Sequence, residues 1–285
     1  MTFAEFDRKY QVEMVRAGGA FFRCRYRKNS VSDKTVVLLV GTVGISDVFF
    51  GHFDLLAENF SVLAMDYPME LDTCAKLADG IAELFTALGI KKAWLCGQSF
   101  GGFLAQIIAV RHPDRVEGFI LSNTASLAAD MGKDAESFLL QMAAQQRKNR
   151  ELVGLLPMGF VKKKLFSTAR SISDAYTEAQ SRRSALITSI MEAQLTRQYL
   201  RHMLALLSDL PSYYGSVPAQ FGFLRGRVLL IFSPDDTMFT EACRSSLVSL
   251  MPKPAVDRSF TGGHMAIFLD PQKYSETVIS FINQC

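Results

Sequence analysis

Gly97-Gln98-Ser99-Phe100-Gly101-Gly102 is the stretch whose reading decides the fold. It has the form G-x-S-x-G with one further glycine. Ala93-Trp94-Leu95-Cys96 ahead of it is short and apolar, and residues 103–110 behind it read as a helix. The context is strand, sharp turn, helix, the setting in which this pattern presents a nucleophilic serine. The spacing has a local cause. A serine in a strained turn needs neighbours without side chains, because the strand and helix pass close by. Ser99 then stands at a helix N-terminus, where unpaired N–H groups and the helix dipole favour a developing anion. A phosphate-loop reading of the same glycines fails, since no Lys follows them.

Outward from this turn, strands and helices alternate. Residues 11–15 and 20–26 read as a hairpin joined at Gly18-Gly19. Residues 35–40 form a continuous β-branched run, as in a strand buried on both faces, and end in Gly41-Thr42-Val43-Gly44. A helix is expected from Ser46 or Asp47 to Ala57, with Ser46 as its cap. Residues 61–65 read as a strand, 73–88 as a helix stopped by Gly89, and 116–121 as a strand. From 126 to 221 no strand-like run occurs. Helices are expected over 135–147, 174–180 and 183–207. The alternation resumes with strands at 227–232 and 255–260 and helices at 241–250 and 274–282. This rhythm predicts an α/β fold, a mostly parallel doubly wound sheet with an inserted helical cap. The core is expected over 1–125 and 221–285, and the cap over 126–220.

A serine needs a base, and the base needs a third group to orient it. Of the four histidines, His52 and His202 fall in predicted helices and read as structural or solvent-facing. His112 lies at the exposed end of the Ser99 helix. His264 follows Phe260-Thr261-Gly262-Gly263, directly after the last predicted strand, at the carboxyl edge where sites form. On that edge Ser233-Pro234-Asp235-Asp236 also follows a strand, and so offers the acid. The order Ser, Asp, His is the one that goes with the G-x-S-x-G turn. Asp236 is the expected acid, with Asp235 as the alternative, facing solvent or capping the turn.

These residues resemble the α/β-hydrolase fold superfamily, serine-hydrolase type, along the whole chain. The resemblance implies that the backbone N–H of Phe100 is one oxyanion donor. The second would come from the loop after the 35–40 strand, where many members carry His-Gly. Val40-Gly41-Thr42-Val43 stands there instead, so Thr42, or Val43, is implied. Within the superfamily, Ser46-Asp47-Val48-Phe49-Phe50, Gly101 to Gln106, Thr261-Gly262-Gly263, and Leu156-Pro157-Met158 leading into Lys162-Lys163-Lys164 resemble the maspardin-like group. That group implies a binding or adaptor role with an incomplete triad. Here His264 stands where that group has Asn.

Composition bounds the rest. The 285 residues, 49% of them hydrophobic, suffice for one large α/β domain. A net charge of +3 is too small to argue for nucleic acid. The excess concentrates in 126–220, which holds 12 Lys and Arg against 8 Asp and Glu. It reads as a solvated face or as an attractor of anionic substrates or an anionic membrane surface. Five scattered cysteines without C-x-x-C favour reduced thiols in a cytoplasmic protein. No apolar run approaches a membrane span. No metal site and no cofactor are expected. The expected activity is hydrolysis of an ester or related acyl bond in a small, apolar substrate by Ser99, His264 and Asp236. The alternatives are a maspardin-like binding protein, for which a protein partner is implied, or perhydrolysis or carbon–carbon cleavage on the same triad.

Overall fold

A computed structural model describes residues 1–128, 131–171, 176–215 and 221–285, the side chains of 168–171 excepted. The first half runs through α1 (Phe3–Lys9), β1 (Glu13–Ala17), β2 (Ala20–Arg27), β3 (Thr35–Leu39), α2 (Phe50–Ala57), β4 (Ser61–Met65), α3 (Cys74–Ala87), β5 (Ala93–Gln98), α4 (Phe100–Arg111) and β6 (Val116–Ser122). Four helices follow: α5 (Lys133–Leu155), α6 (Met158–Ser171), α7 (Glu178–Gln194) and α8 (Arg197–Asp209). The chain then returns to the sheet with β7 (Val228–Ile231), α9 (Glu241–Leu250) and β8 (Ala255–Asp257), and closes with α10 (Ala266–Leu269) and α11 (Pro271–Gln284).

The strands form one sheet in the order β1-β2-β4-β3-β5-β6-β7-β8. β2 pairs antiparallel with β1 and β4, and every other pairing is parallel. β3, β4 and β5 are buried at every position, which is why, apart from Thr35, Ser61 and Gln98 at their ends, their sequences run apolar rather than alternating. α3 turns Leu77, Ile81, Leu84 and Phe85 inward. It starts where the Thr73 side chain accepts from the Lys76 N–H and stops at Gly89, whose φ is 70°. This is the α/β fold with a helical insertion expected from the sequence.

Several boundaries differ from expectation. Ser46 does not cap a helix. A 3₁₀ turn spans Ser46–Phe49 before α2, and the Ser46 N–H and hydroxyl both donate to Asp66 Oδ1, at 2.8 and 2.6 Å. The half-buried carboxylate takes the group that would have capped. The helix expected over 183–207 is two helices. The backbone is extended at Leu195, and Thr196 Oγ1 accepts from the Tyr199 N–H at 3.1 Å, starting α8 afresh. The apolar face continues across this break, so periodicity alone cannot reveal it. The start of the helix expected at 174 lies outside the described residues, and α7 begins at Glu178 behind a Thr177 cap. α5 extends past 147 to Leu155, and α1 and α6 had no counterpart in the sequence reading. β8 ends at Asp257 because its carboxylate accepts from the Ser259 N–H at 2.7 Å and turns the chain.

Candidate active site

The carboxyl ends of β3, β5, β6 and β7 lie side by side, and each delivers one part of the site. β5 delivers Ser99. Its backbone has φ 53° and ψ −117°, a strained conformation for a residue with a side chain. Three bonds hold it. The Ser99 N–H donates to Ser122 O at 3.0 Å, and Ser99 O accepts from Thr124 Oγ1 at 2.8 Å and from the Gly102 N–H at 2.9 Å. The glycines are sterically required. A Cβ on Gly97 would run into the Gly101 backbone, and one on Gly101 into the Leu39 carbonyl. Phe100 is the first residue of α4, so its N–H has no intrahelical acceptor.

β7 delivers two adjacent carboxylates with different tasks. Asp236 is buried, its carboxylate 1% exposed, and its Oδ2 lies 3.1 Å from His264 Nδ1. Its Oδ1 accepts from the Met238 N–H at 2.7 Å. Arg244 Nη1 donates to Asp236 O at 3.2 Å and to Phe239 O at 2.7 Å, fixing the turn from behind. Asp235 makes no contact of this kind with His264. Its Oδ2 accepts from the N–H groups of Gly262 and Gly263, at 2.8 and 2.9 Å. Those glycines have φ 119° and 64°, so they bend the loop as the sequence requires, and Asp235 clamps the bend.

β6 ends in Asn123, at φ 43° and 2% exposed. Its Oδ1 accepts from the Ser233 N–H at 2.9 Å, and its Nδ2 donates to Ser233 Oγ and Gly263 O, both at 3.2 Å. One buried amide therefore joins the β6 end, the β7 end and the histidine loop. A buried polar residue flanked by Ser and Thr gave no motif by which sequence could single it out.

β3 delivers the Gly41-Thr42-Val43-Gly44 turn, closed by the Gly44 N–H to Gly41 O at 3.0 Å. The central residues of such a turn keep their N–H groups out of the turn's own bond. Tyr199 of α8 holds this turn. Its hydroxyl donates to Gly44 O at 2.7 Å and accepts from the Tyr67 N–H at 3.1 Å. Burial pushes the Tyr67 and Tyr199 phenols well above their ordinary value, so both stay protonated.

Gln98 is the unanticipated member. Its side chain Nε2 lies 3.2 Å from His264 Nε2 and donates to His264 O at 3.2 Å. With Nδ1–H donating to Asp236, Nε2 is the acceptor and the Gln98 amide its donor.

Ser99 and His264 border one cavity of about 460 Å³ with Gly41, Thr42, Val43 and Gln98. The remaining walls include Leu152, Leu156, Val161, Met191 and Leu204 of the insertion. Such a mainly apolar chamber, with polar groups at the Ser99 end and Gln146, Asn149 and Lys164 on the side of the insertion, suits a small ligand. His52 and His202 are buried away from this site, at 0% and 8% exposure, so neither faces solvent. His112 pairs with Asp79 at 2.7 Å. Among the described residues no group of three His, Cys, Asp or Glu side chains could hold a metal ion.

A family profile described as alpha/beta hydrolase fold matches residues 34–271. The chain belongs to the α/β-hydrolase fold family. Among its relatives, a Caulobacter vibrioides protein described as a candidate carbamate hydrolase, RutD, is 23% identical over 266 residues, covering 88% of this chain and 91% of that protein. α/β-hydrolases of similar shape include a hydrolase from Pseudomonas aeruginosa PA01, with a TM-score of 0.74 at 17% identity over 95% of this chain and 98% of that one. The enol-lactonase from Burkholderia xenovorans LB400 has a TM-score of 0.72 at 16% identity over 95% of this chain and 100% of that one. At these identities the structural likeness establishes the α/β-hydrolase fold, and the residues must argue the chemistry.

Proposed function

We propose that this α/β-hydrolase is a serine hydrolase that cleaves an ester or related acyl bond of a small, mainly apolar substrate. One observation carries the reading: Ser99, strained on its turn, shares a cavity with His264, whose Nδ1 is 3.1 Å from a buried Asp236. Ser99 Oγ attacks the carbonyl carbon while His264 Nε2 takes its proton. Asp236 holds the ring in the tautomer that leaves Nε2 free to accept, and stabilises the imidazolium that forms. The N–H groups of Phe100 and of Thr42 or Val43 receive the developing oxyanion. His264 then protonates the leaving group, and a water activated by the same nitrogen releases the acyl chain. Before attack the Gln98 amide must yield Nε2 to the Ser99 hydroxyl. The carbamate and lactone named for the relatives both break at an acyl carbon, in keeping with this chemistry. The buried thiols Cys24, Cys74, Cys96 and Cys243 favour a reducing, cytoplasmic setting.

A maspardin-like binding protein without turnover is the second reading, favoured by the Gln98 amide on the nitrogen that Ser99 would need. Labelling with a fluorophosphonate separates the two. The wild type is expected to form a stable adduct that the Ser99→Ala protein does not. A folded wild type that remains unlabelled would sink the hydrolase reading.

A further inference from the structure

Helices α5 and α6 meet at Leu156-Pro157, and this corner carries a combination that no catalytic step uses. Leu155 is 83% exposed, Phe160 54% and Leu152 48%. Single exposed apolar side chains are ordinary, but three at one corner are a patch. Between 147 and 164 the chain has six Lys and Arg against one acid, a surplus of five where the whole chain has three. The remainder of the molecule is therefore slightly acidic, and the positive field is concentrated at this corner. Lys162 Nζ donates to Glu192 O, while Lys148, Arg150, Lys163 and Lys164 are exposed.

The corner is also the rim of the cavity. Leu152 and Leu156 of α5 and Phe160, Val161, Lys164 and Leu165 of α6 line it, and the chamber runs from them to Ser99 and His264. α5 packs on α8 and α6 on α7, so each helix of the rim is supported by a neighbour in the insertion.

We propose that the α5–α6 corner docks the protein on an anionic phospholipid surface, with the cavity mouth turned toward the bilayer. Leu155 and Phe160 enter the headgroup–acyl boundary, and Lys148, Arg150, Lys163 and Lys164 meet lipid phosphates and carboxylates around them. This is the division of labour of an interfacial helix, apolar residues for depth and basic residues for attraction. Among the described residues no helix is long and apolar enough to cross a membrane, so the attachment is peripheral. The corner sets where the mouth faces, and an apolar substrate dissolved in the bilayer would reach the chamber without crossing water. Docking stands independently of turnover at Ser99.

The test is co-sedimentation of the full chain with vesicles of phosphatidylcholine alone and of equimolar phosphatidylcholine and phosphatidylserine. Binding is expected only to the second, weakening as salt is raised. Leu155→Glu and Lys163→Glu change residues outside the cavity lining, so each should melt like the wild type. Lys163→Glu should lower the partition coefficient about fivefold or more, from the free energy of one basic residue at an anionic surface. Leu155→Glu should lower it at least as far. Ser99→Ala should bind as well as the wild type, which separates this proposal from the hydrolase reading. Equal binding to both vesicles, binding to neither, or indifference to both substitutions would overturn it. So would a wild-type dimer in solution that Leu155→Glu converts to monomer, which would make the corner a contact between copies.

Discussion

At the scale of single residues, the site holds two neighbouring pairs whose members do different jobs. Asp235 and Asp236 are adjacent in sequence, yet one clamps two glycine N–H groups and the other faces His264 Nδ1. Asp236→Asn keeps the shape but favours the wrong tautomer, a loss of about 10⁴ in the worked serine-protease example. Asp235→Asn keeps an acceptor oxygen for the glycines and loses only charge. It should lower stability by about 1–2 kcal/mol and leave turnover within about tenfold. Assaying the two variants side by side on a short acyl ester decides, and the reverse pattern would exchange the roles. Gln98 and Ser99 are the second pair. In the proposed reaction both would call on His264 Nε2, and the Gln98 amide holds it in this structure. Gln98→Leu, of similar volume, should free the nitrogen and speed fluorophosphonate labelling about fivefold, the worth of one hydrogen bond of about 1 kcal/mol. Labelling as poor as that of Ser99→Ala would mean that the amide belongs to the productive arrangement. The sequence could single out Ser99, Asp236 and His264 as candidates because the proposed chemistry demands those residue types at strand ends. It could not reveal Gln98, because x in G-x-S-x-G admits many side chains and its contact is with a residue 166 positions away.

At the scale of elements, the helical insertion does more than cover the cavity. Tyr199 of α8 holds the Gly44 carbonyl, so the turn bearing Thr42 and Val43 is positioned by the insertion as well as by β3. Gln194 of α7 donates to Asp47 Oδ2 at 2.9 Å and joins a buried cluster in which Arg25, 2% exposed, also binds Asp47. Burial pushes the Asp47 carboxyl up, and Arg23 and Arg25 more than reverse this, leaving it below its usual value. Tyr199→Phe removes a donor from Gly44 O and an acceptor from the Tyr67 N–H. Stability should fall by about 1–3 kcal/mol, and kcat for an acyl ester by about tenfold, with KM less affected. A variant that melts and turns over like the wild type would detach the insertion from the chemistry. These anchors explain what was legible here. The helices follow from composition and period, but their starts follow from partners: Asp66 took Ser46 ahead of α2, and in the insertion Thr196 began a new helix within a continuous apolar face. The Asp66 partner lies 20 positions from Ser46, beyond local pattern, whereas the Thr196 cap is only three residues from Tyr199 and was masked by the unbroken apolar period. The strands β3 to β7 were readable because burial on both faces leaves a nearly continuous apolar signature.

At the scale of the whole molecule, the fold gathers strand ends on one edge and buries what lies behind them, and burial sets a pH limit on its stability. His52 of α2 is fully buried among Phe49, Phe268 and Tyr274, with ring centroids 5.2 to 5.6 Å away. Its Nε2–H donates to Ile267 O at 2.9 Å, which ties α2 to the turn after His264. Burial, aided by the nearby Arg183 guanidinium, pushes its pKa from 6.5 down to about 3. In the unfolded chain the same imidazole takes a proton near 6.5. Between pH 6.5 and 3 the unfolded state therefore binds one more proton at this site, and stability falls as pH falls, by about 1.4 kcal/mol per unit. Above 6.5 both states are neutral there and the term vanishes. His202 is shifted down by burial in the same sense, so the wild-type slope alone does not isolate His52. Asp79, held below its usual value by Arg111 and His112, loses its contribution only below pH 3.8. His52→Gln keeps an N–H donor and cannot titrate. Its unfolding free energy from urea melts should be lower than that of the wild type at pH 7.5. The deficit should then shrink by about 1.4 kcal/mol per unit as pH falls from 6.5 toward 4.5, until the variant equals or passes the wild type. Parallel curves across that range would mean that His52 accepts a proton in the folded protein, which a ring enclosed by three aromatic side chains with its Nε2–H on a carbonyl has no room to do.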